Sequence, residues 1–113
     1  MTPAQARAMY RRRIGAHGGL VTLRRGSGEG APEVTFKAWI TGYAAQEMFG
    51  DVLQGDSKVI LLAEDLAAFP LPIKTRSTDA IWSNGRKMTV QAVDEQTRRV
   101  AGELIAYELR VRG

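Results

Sequence analysis

The sequence contains no cysteine, and this absence removes several kinds of chemistry at once. Disulfide bonds, thiolate metal sites and cysteine nucleophiles are all excluded. Histidine is nearly absent too: His17 stands alone, and one imidazole cannot hold a metal or be oriented for proton transfer. Because no set of acid, base and nucleophile can be assembled, we expect a protein that is not an enzyme and needs no cofactor.

Long apolar runs are missing as well. No stretch approaches the roughly 18 residues that a membrane span needs, and the N-terminal "MTPAQARAMYRRR" is too polar and basic for a secretion signal. We therefore expect a cytosolic origin and no membrane partner. The 113 residues, 44% of them hydrophobic and 25% charged, suit one globular domain. The net charge is +4, and arginine outnumbers lysine by twelve to four, which favours pairing with carboxylates or phosphates.

A helix is predicted at the start of the chain, where residues 1–18 form an N-terminal extension. Thr2 and Gln5 can form a capping box, Pro3 suits the first helical position, and three glycines within residues 15–19 end the pattern. The apolar stripe is thin, so we expect this helix to lie against a surface rather than inside a core. The stripe consists of Ala6, Met9, Tyr10 and Ile14.

From Leu20 onward the apolar period changes to two, which is typical of strands, and residues 19–113 are predicted to form a β-barrel domain. Asn84-Gly85 predicts a type I′ hairpin between residues 79–83 and 86–94, and Gly102 is interpreted as a bulge. About six short antiparallel strands in so small a domain close most easily as a barrel, so the fold class is mainly β. The predicted core includes Val34, Phe36, Ile40, Val59, Leu61, Val90, Ile105, Tyr107 and Leu109.

Two groups of side chains stand out as candidates for contact with a partner. The arginines Arg11, Arg12 and Arg13 form either a solvated face or a contact to an acidic surface or DNA phosphates. Trp39 falls on the polar face of its strand, with Tyr43 four residues on. An aromatic side chain at that position is either covered by the N-terminal helix or offered to a partner, since both arrangements relieve exposed apolar area.

The order of motifs in the second half of the chain resembles a known family. An apolar strand, "VILLAEDL", precedes a proline-containing connector, the hairpin "DAIWSNGRKMTVQAV" and a terminal "AYELRVRG". This order is similar to the head-completion proteins of long-tailed bacteriophages, also called head–tail connector or stopper proteins, and to those of gene transfer agents. The resemblance covers about residues 20–113. Its motif positions here are Asp79, Gly85, Arg86, Thr89, Val90 and Tyr107.

The resemblance implies a structural protein of the virion neck, assembled in the cytoplasm of a bacterial host. It implies a small barrel that forms a homo-oligomeric ring, with portal-adaptor proteins on the head side and tail terminator or tail tube proteins on the other. Such a ring closes the head around packaged double-stranded DNA and docks the tail.

The family's long loop in the DNA channel corresponds here to residues 44–55. The segment is unusually long for a hairpin connection and carries acidic rather than basic residues, which is consistent with a plug that does not grip DNA phosphates. The alternative is a surface loop packed onto its own barrel. The channel-loop candidates are Gln46, Glu47, Met48, Phe49 and Asp51.

Arg86 and Lys87, just after the hairpin turn, would lie near a barrel end. There they either meet carboxylates of a neighbouring subunit or simply solubilise the turn. A competing function for the whole chain is a barrel that binds single-stranded nucleic acid, with Trp39 and Tyr43 stacking on bases and arginines following the backbone. That function requires the aromatic side chains and the arginines to share one face of the barrel.

Overall fold

A computed structural model describes residues 1–26, 28–43, 50, 52, 55–75 and 78–113 of the chain. They form a closed barrel of six antiparallel strands with one N-terminal helix, which confirms the predicted fold. The elements are α1 (Pro3–His17), β1 (Gly19–Arg25), β2 (Glu33–Gly42), β3 (Ser57–Leu62), a 3-10 helix (Ala63–Leu66), β4 (Asp79–Ser83), β5 (Arg86–Asp94), β6 (Arg99–Val100), β7 (Glu103–Leu104) and β8 (Ala106–Arg112).

The barrel strands follow the order β1-β2-β3-β8-β5-β4, and β4 pairs back onto β1 to close the sheet. Asn84 and Gly85 adopt φ values of 52° and 78°, as the predicted type I′ turn between β4 and β5 requires. The capping box of Thr2 and Gln5 also forms as predicted. These features depend on residues close in sequence, which is why the sequence alone could specify them.

Gly102 does not form the predicted bulge. It follows Ala101 in a two-residue turn, where both residues have positive φ, and this turn joins β6 and β7 into a separate small hairpin. The last barrel strand, β8, therefore begins only after this hairpin, at Ala106. The register irregularity lies instead between Val90 and Ala92, where β5 pairs with β8.

Side chains that alternate along the strands fill the barrel interior. Six predicted core residues are buried there: Phe36, Val59, Leu61, Val90, Tyr107 and Leu109. Val34 and Ile40 also face this core but are only partly buried, since they lie towards the ends of β2. Ile105 is buried outside the barrel, beneath α1, because it precedes β8 and sits after the β6–β7 hairpin.

Helix α1 packs on the outer surface of β2 and β3. Ala6 and Ile14 are buried there against Leu62 and Ile105, and Tyr10, Trp39 and Val100 pack around them. This second apolar cluster explains the continuous apolar run of β3. One side of the strand faces the barrel core, and the other lies under the helix.

The connector between β3 and β4 contributes Leu66, Phe69 and Ile73 to the main core. An ion pair holds it in place. Arg25 Nε and Nη2 donate to the Asp79 carboxylate at 2.7 and 2.9 Å, and the backbone N–H of Lys74 donates to it at 2.6 Å. Arg25 Nη2 also donates to the carbonyl oxygens of two connector prolines, at 3.0 and 2.8 Å. Asp79 is fully buried, so all of its charge is compensated within the protein.

Leu61→Ala should lower the free energy of unfolding by roughly 2–5 kcal/mol, because Leu61 is completely buried and the vacated space cannot fully collapse. Leu20→Ala is the control: this exposed leucine should change the stability by less than about 0.5 kcal/mol. Urea unfolding followed by circular dichroism measures both. Equal effects of the two substitutions would remove Leu61 from the core.

Asp79→Asn should destabilise the protein by about 3 kcal/mol or more, because it leaves Arg25 without its buried counter-charge. Glu33→Gln is the matched control, since it breaks the adjacent but exposed pair with Arg24 and should cost ~0–1 kcal/mol. Chemical unfolding of the two variants side by side tests this. A cost for Asp79→Asn no greater than for the control would contradict the anchoring role of the pair.

Candidate functional site

A cleft of about 370 Å³ lies between α1 and the barrel surface. Its apolar wall comes from Met9, Tyr10, Trp39 and Ile60, and three cationic side chains reach it from different elements. We call this site the helix–barrel cleft. Its lining residues are Met9, Tyr10, Arg13, Trp39, Thr41, Gly42, Lys58, Ile60 and Arg98.

The cations of the helix–barrel cleft are Arg13 from α1, Lys58 from β3 and Arg98 from the turn before β6. None of the lining residues within the described ranges is acidic. Arg98 is held in place by two contacts: Nη1 donates to the Tyr10 hydroxyl at 2.9 Å, and Nη2 donates to Glu108 at 2.6 Å. These hydrogen bonds raise the pKa of Arg98 against the opposing effect of burial, so the side chain stays charged.

The turn that carries Arg98 is organised by Asp94 at the end of β5. Its carboxylate accepts hydrogen bonds from the Thr97 hydroxyl at 2.6 Å and from the backbone N–H groups of Gln96 and Thr97 at 2.9 and 3.1 Å. The Thr97 hydroxyl, then these N–H groups and the charge of Arg98, lower the pKa of Asp94 despite partial burial. The fixed turn therefore determines where Arg98 enters the cleft.

Several of the predicted contact residues lie in or beside the helix–barrel cleft. Trp39 is half-buried beside α1, and the His17 ring stacks on it with a centroid distance of 5.3 Å. The helix therefore covers part of Trp39, which was one of the two alternatives for this residue. The Lys58 ammonium group lies over the Tyr43 ring, 5.2 Å from the ring centroid. Arg13 is exposed at the rim.

The other two arginines of the run at residues 11–13 lie apart from the cleft lining. Arg11 pairs with Glu64 and Asp65 of the 3-10 helix, so its charge is used within the chain to attach α1. Arg12 is exposed to solvent. The three consecutive arginines of the sequence thus have three different environments.

A second surface, on β1, β4 and the start of β5, is not covered by the helix. We call it the open face. Trp82 lies opposite Thr22 on one side and Lys87 on the other, and Leu20 lies opposite Lys37. Leu20 and Trp82 are 66% and 37% exposed, and the Lys87 ammonium lies 6.0 Å from the Trp82 ring centroid.

Sequence reasoning named Trp39 as a candidate contact residue and overlooked Trp82. The signal was present in the alternation of β4: Ile81 is buried, so its neighbour Trp82 must point outward. Of the two predicted contacts after the turn, Lys87 belongs to the open face, and Arg86 is exposed beside it. Within the described ranges, neither residue forms an ion pair. The channel-loop candidates, residues 46–49 and 51, lie outside the described residues.

Most of the other arginines are paired with carboxylates inside the chain. The pairs among the described residues include Arg7–Glu103, Arg11–Glu64, Arg11–Asp65, Arg24–Glu33, Arg25–Asp79, Arg98–Glu108, Arg110–Asp56 and Arg112–Asp56. Within the described ranges, the positive charge that remains for a partner lies on the cations outside these pairs. Among them are Arg13 at the cleft and Lys37 and Lys87 on the open face.

No family model, curated protein or solved structure matches the chain. Across the part of the chain that the structure describes, no group of three His, Asp or Glu side chains could hold a metal ion. No helix in this part is long and apolar enough to cross a membrane. The interpretation of its function therefore rests on the barrel, its two surfaces and the motif resemblance.

Thr97→Val should raise the pKa of Asp94 towards the ordinary aspartate value of ~3.9, because it removes the strongest hydrogen bond to the charged form. In the native protein the lowered pKa stabilises the fold above pH ~4, and this contribution is lost as the pH falls through the folded-state value. The variant should therefore lose less stability on acidification. Carboxyl NMR titration measures the shift. Thr22→Val, far from Asp94, is the control, and an unchanged Asp94 titration in Thr97→Val would refute the assignment.

Proposed function

We propose that this protein is a structural, non-catalytic subunit of the neck of a tailed bacteriophage or gene transfer agent. Copies of the barrel assemble into a ring between the portal-adaptor complex and the tail. The ring closes the DNA-filled head and provides the docking surface for tail terminator or tail tube proteins. The packaged double-stranded DNA passes through the lumen, and the segment 44–55 is proposed to narrow it. The protein then belongs to the virion after assembly in the host cytoplasm.

The observation that carries this proposal is the place of the motif residues in a closed barrel. Asp79 is the buried anchor of the connector, and Gly85 forms the hairpin turn. Val90 and Tyr107 point into the core from β5 and β8. A small barrel was what the resemblance implied, and each of these motif positions has a structural role that such a barrel needs. This agreement supports the resemblance, whose motifs otherwise consist of short segments.

The open face supports the assembly of copies into a ring. Exposed tryptophan and leucine surrounded by lysines match the usual composition of a protein interface, with an apolar centre and a charged rim. Ring closure requires a head-to-tail contact, in which this face meets a different surface of the next copy. We therefore assign Leu20, Trp82 and Lys87 to the contact between subunits.

The double substitution Leu20→Ser with Trp82→Ser should prevent ring formation and leave a folded monomer. Removing a tryptophan from an interface centre typically costs about 2 kcal/mol or more of binding free energy. Light scattering and negative-stain microscopy should show rings for the native protein, either alone or on tailless heads that lack it. Circular dichroism verifies the fold of the variant.

Leu71→Ser is the matched control, since Leu71 is also exposed but lies in the connector, outside the open face. It should assemble normally. A native protein that neither forms rings nor binds such heads would contradict the proposed function. Rings formed by the double variant would instead exclude only the open face as the contact surface.

A further inference from the structure

Helix α1 is attached to the barrel as a separate unit. In the described part of the chain, the buried residues of the barrel core come from the strands and from the connection between β3 and β4, and none comes from α1. Of the residues of α1, all of which are described, Ala6 and Ile14 are buried, against Leu62 and Ile105 on the outer surface. The closed barrel and its core therefore do not require α1 of the same chain.

Ion pairs at the protein surface add to this short apolar contact. Arg7 Nη1 lies 2.9 Å from Glu103 Oε1, and the two side chains are 32% and 54% exposed. Arg11 pairs with Glu64 and Asp65, and its own side chain is 50% exposed. Exposed pairs of this kind contribute little to stability. Clefts of about 410 and 370 Å³ adjoin the helix, so its contact with the barrel is narrow.

The connection between α1 and β1 consists of one residue, Gly18. A Cβ atom added there would lie 2.4 Å from the carbonyl oxygen of Ala38 and 2.6 Å from that of Ile14. The helix thus folds back onto its own barrel through a connection that has no room for a side chain. A very short connection favours the exchange of an element between copies, because the same contacts form in the neighbour without the fold-back.

The hinge at Gly18 lies beside the open face. Leu20, two residues further on, is 66% exposed and belongs to the proposed contact between subunits. Helix α1 therefore leaves the barrel at the edge of the surface that meets the next copy. Its 15 residues span about 22 Å at ~1.5 Å per residue. This length is close to the shortest dimension of the molecule, 25 Å, so the helix can extend across the boundary between two barrels.

We infer that in the ring α1 of each copy docks on β2 and β3 of the next copy instead of on its own barrel. This inference rests on the proposed function, since it requires a neighbouring copy, and it identifies a second surface through which copies meet. Arg7 of one copy then pairs with Glu103 of the next. Because each copy gives one helix and receives one, a closed ring leaves no docking surface uncovered. The free subunit keeps α1 on its own barrel.

Crosslinking between two different chains tests the exchange, and the sequence contains no cysteine that would interfere. One chain carries Arg7→Cys, and a second chain with a size tag carries Glu103→Cys. They are co-expressed, assembled into rings and treated with a short bismaleimide. Neither chain has two thiols, so a tagged–untagged product on a denaturing gel reports α1 of one copy on the barrel of another. Its yield in rings should exceed that in unassembled protein roughly tenfold or more, because ring neighbours have a high effective concentration.

Arg12→Cys in place of Arg7→Cys is the matched control, since it is an exposed position on a different side of the same helix. Its product in rings should not exceed that of the unassembled protein. Rings that form normally without the tagged–untagged product of Arg7→Cys, or with equal product for Arg12→Cys, would overturn the exchange and leave the proposed function standing. A native protein that forms no rings would overturn both.

A single chain that carries both Arg7→Cys and Glu103→Cys tests the hinge. In free subunits the crosslink should form within the chain. Adding Gly18→Ala should shift the product towards crosslinks between chains, because the new Cβ collides with the Ala38 carbonyl when α1 folds back. Gly15→Ala is the control: its Cβ meets no atom within 4 Å, so the ratio should not change. An unchanged ratio in Gly18→Ala, with the fold verified by circular dichroism, would overturn the assignment of the hinge and the exchange that depends on it.

Discussion

The ion pair between Arg25 and Asp79 joins the β1–β4 seam, where the barrel closes, to the connector between β3 and β4. The two residues are opposite each other at the end of the seam between β1 and β4, where the barrel closes. The same guanidinium reaches the carbonyls of Pro70 and Pro72 and lies 5.1 Å from the Phe69 ring centroid. The connector that supplies Phe69 to the core is thus attached to the closing seam. Because Asp79 is fully buried, this arrangement is tolerated only while every one of its hydrogen bonds is made.

The position of α1 determines the character of both candidate surfaces. By packing on β2 and β3 it buries Leu62 and Ile105 and creates a cleft along its edge that contains Trp39. On the side of β1 and β4 it leaves Leu20 and Trp82 uncovered. A barrel without the helix would expose both regions alike. Assembly is therefore assigned to the face that the helix leaves open.

The arginine content of the chain overstates the positive charge that is available to a partner, because many of the arginines form ion pairs within the chain. Pairs such as Arg7–Glu103 and Arg11–Glu64 use arginine to attach α1 to the barrel, and Arg112 pairs with Asp56 at the end of β8. On the open face, the described cations outside these pairs include Lys37 and Lys87, and Lys87 lies beside the exposed Trp82. This combination favours a specific contact over general attraction to polyanions, since the surrounding charge is largely neutralised.

The sequence by itself determined the features that depend on neighbouring residues. It specified the capping box at Thr2, the hairpin at Asn84-Gly85 and the inward-facing residues of the strands, because turn chemistry and side-chain alternation act locally. The closed barrel followed from the number and spacing of the strands. Tertiary structure alone decided which distant groups meet. It assigned Gly102 to a turn, placed Ile105 under the helix, exposed Trp82 and gathered Arg13, Lys58 and Arg98 around one cleft. Burial and ion pairing between residues far apart in the chain depend on how the elements pack, and no local pattern encodes that packing.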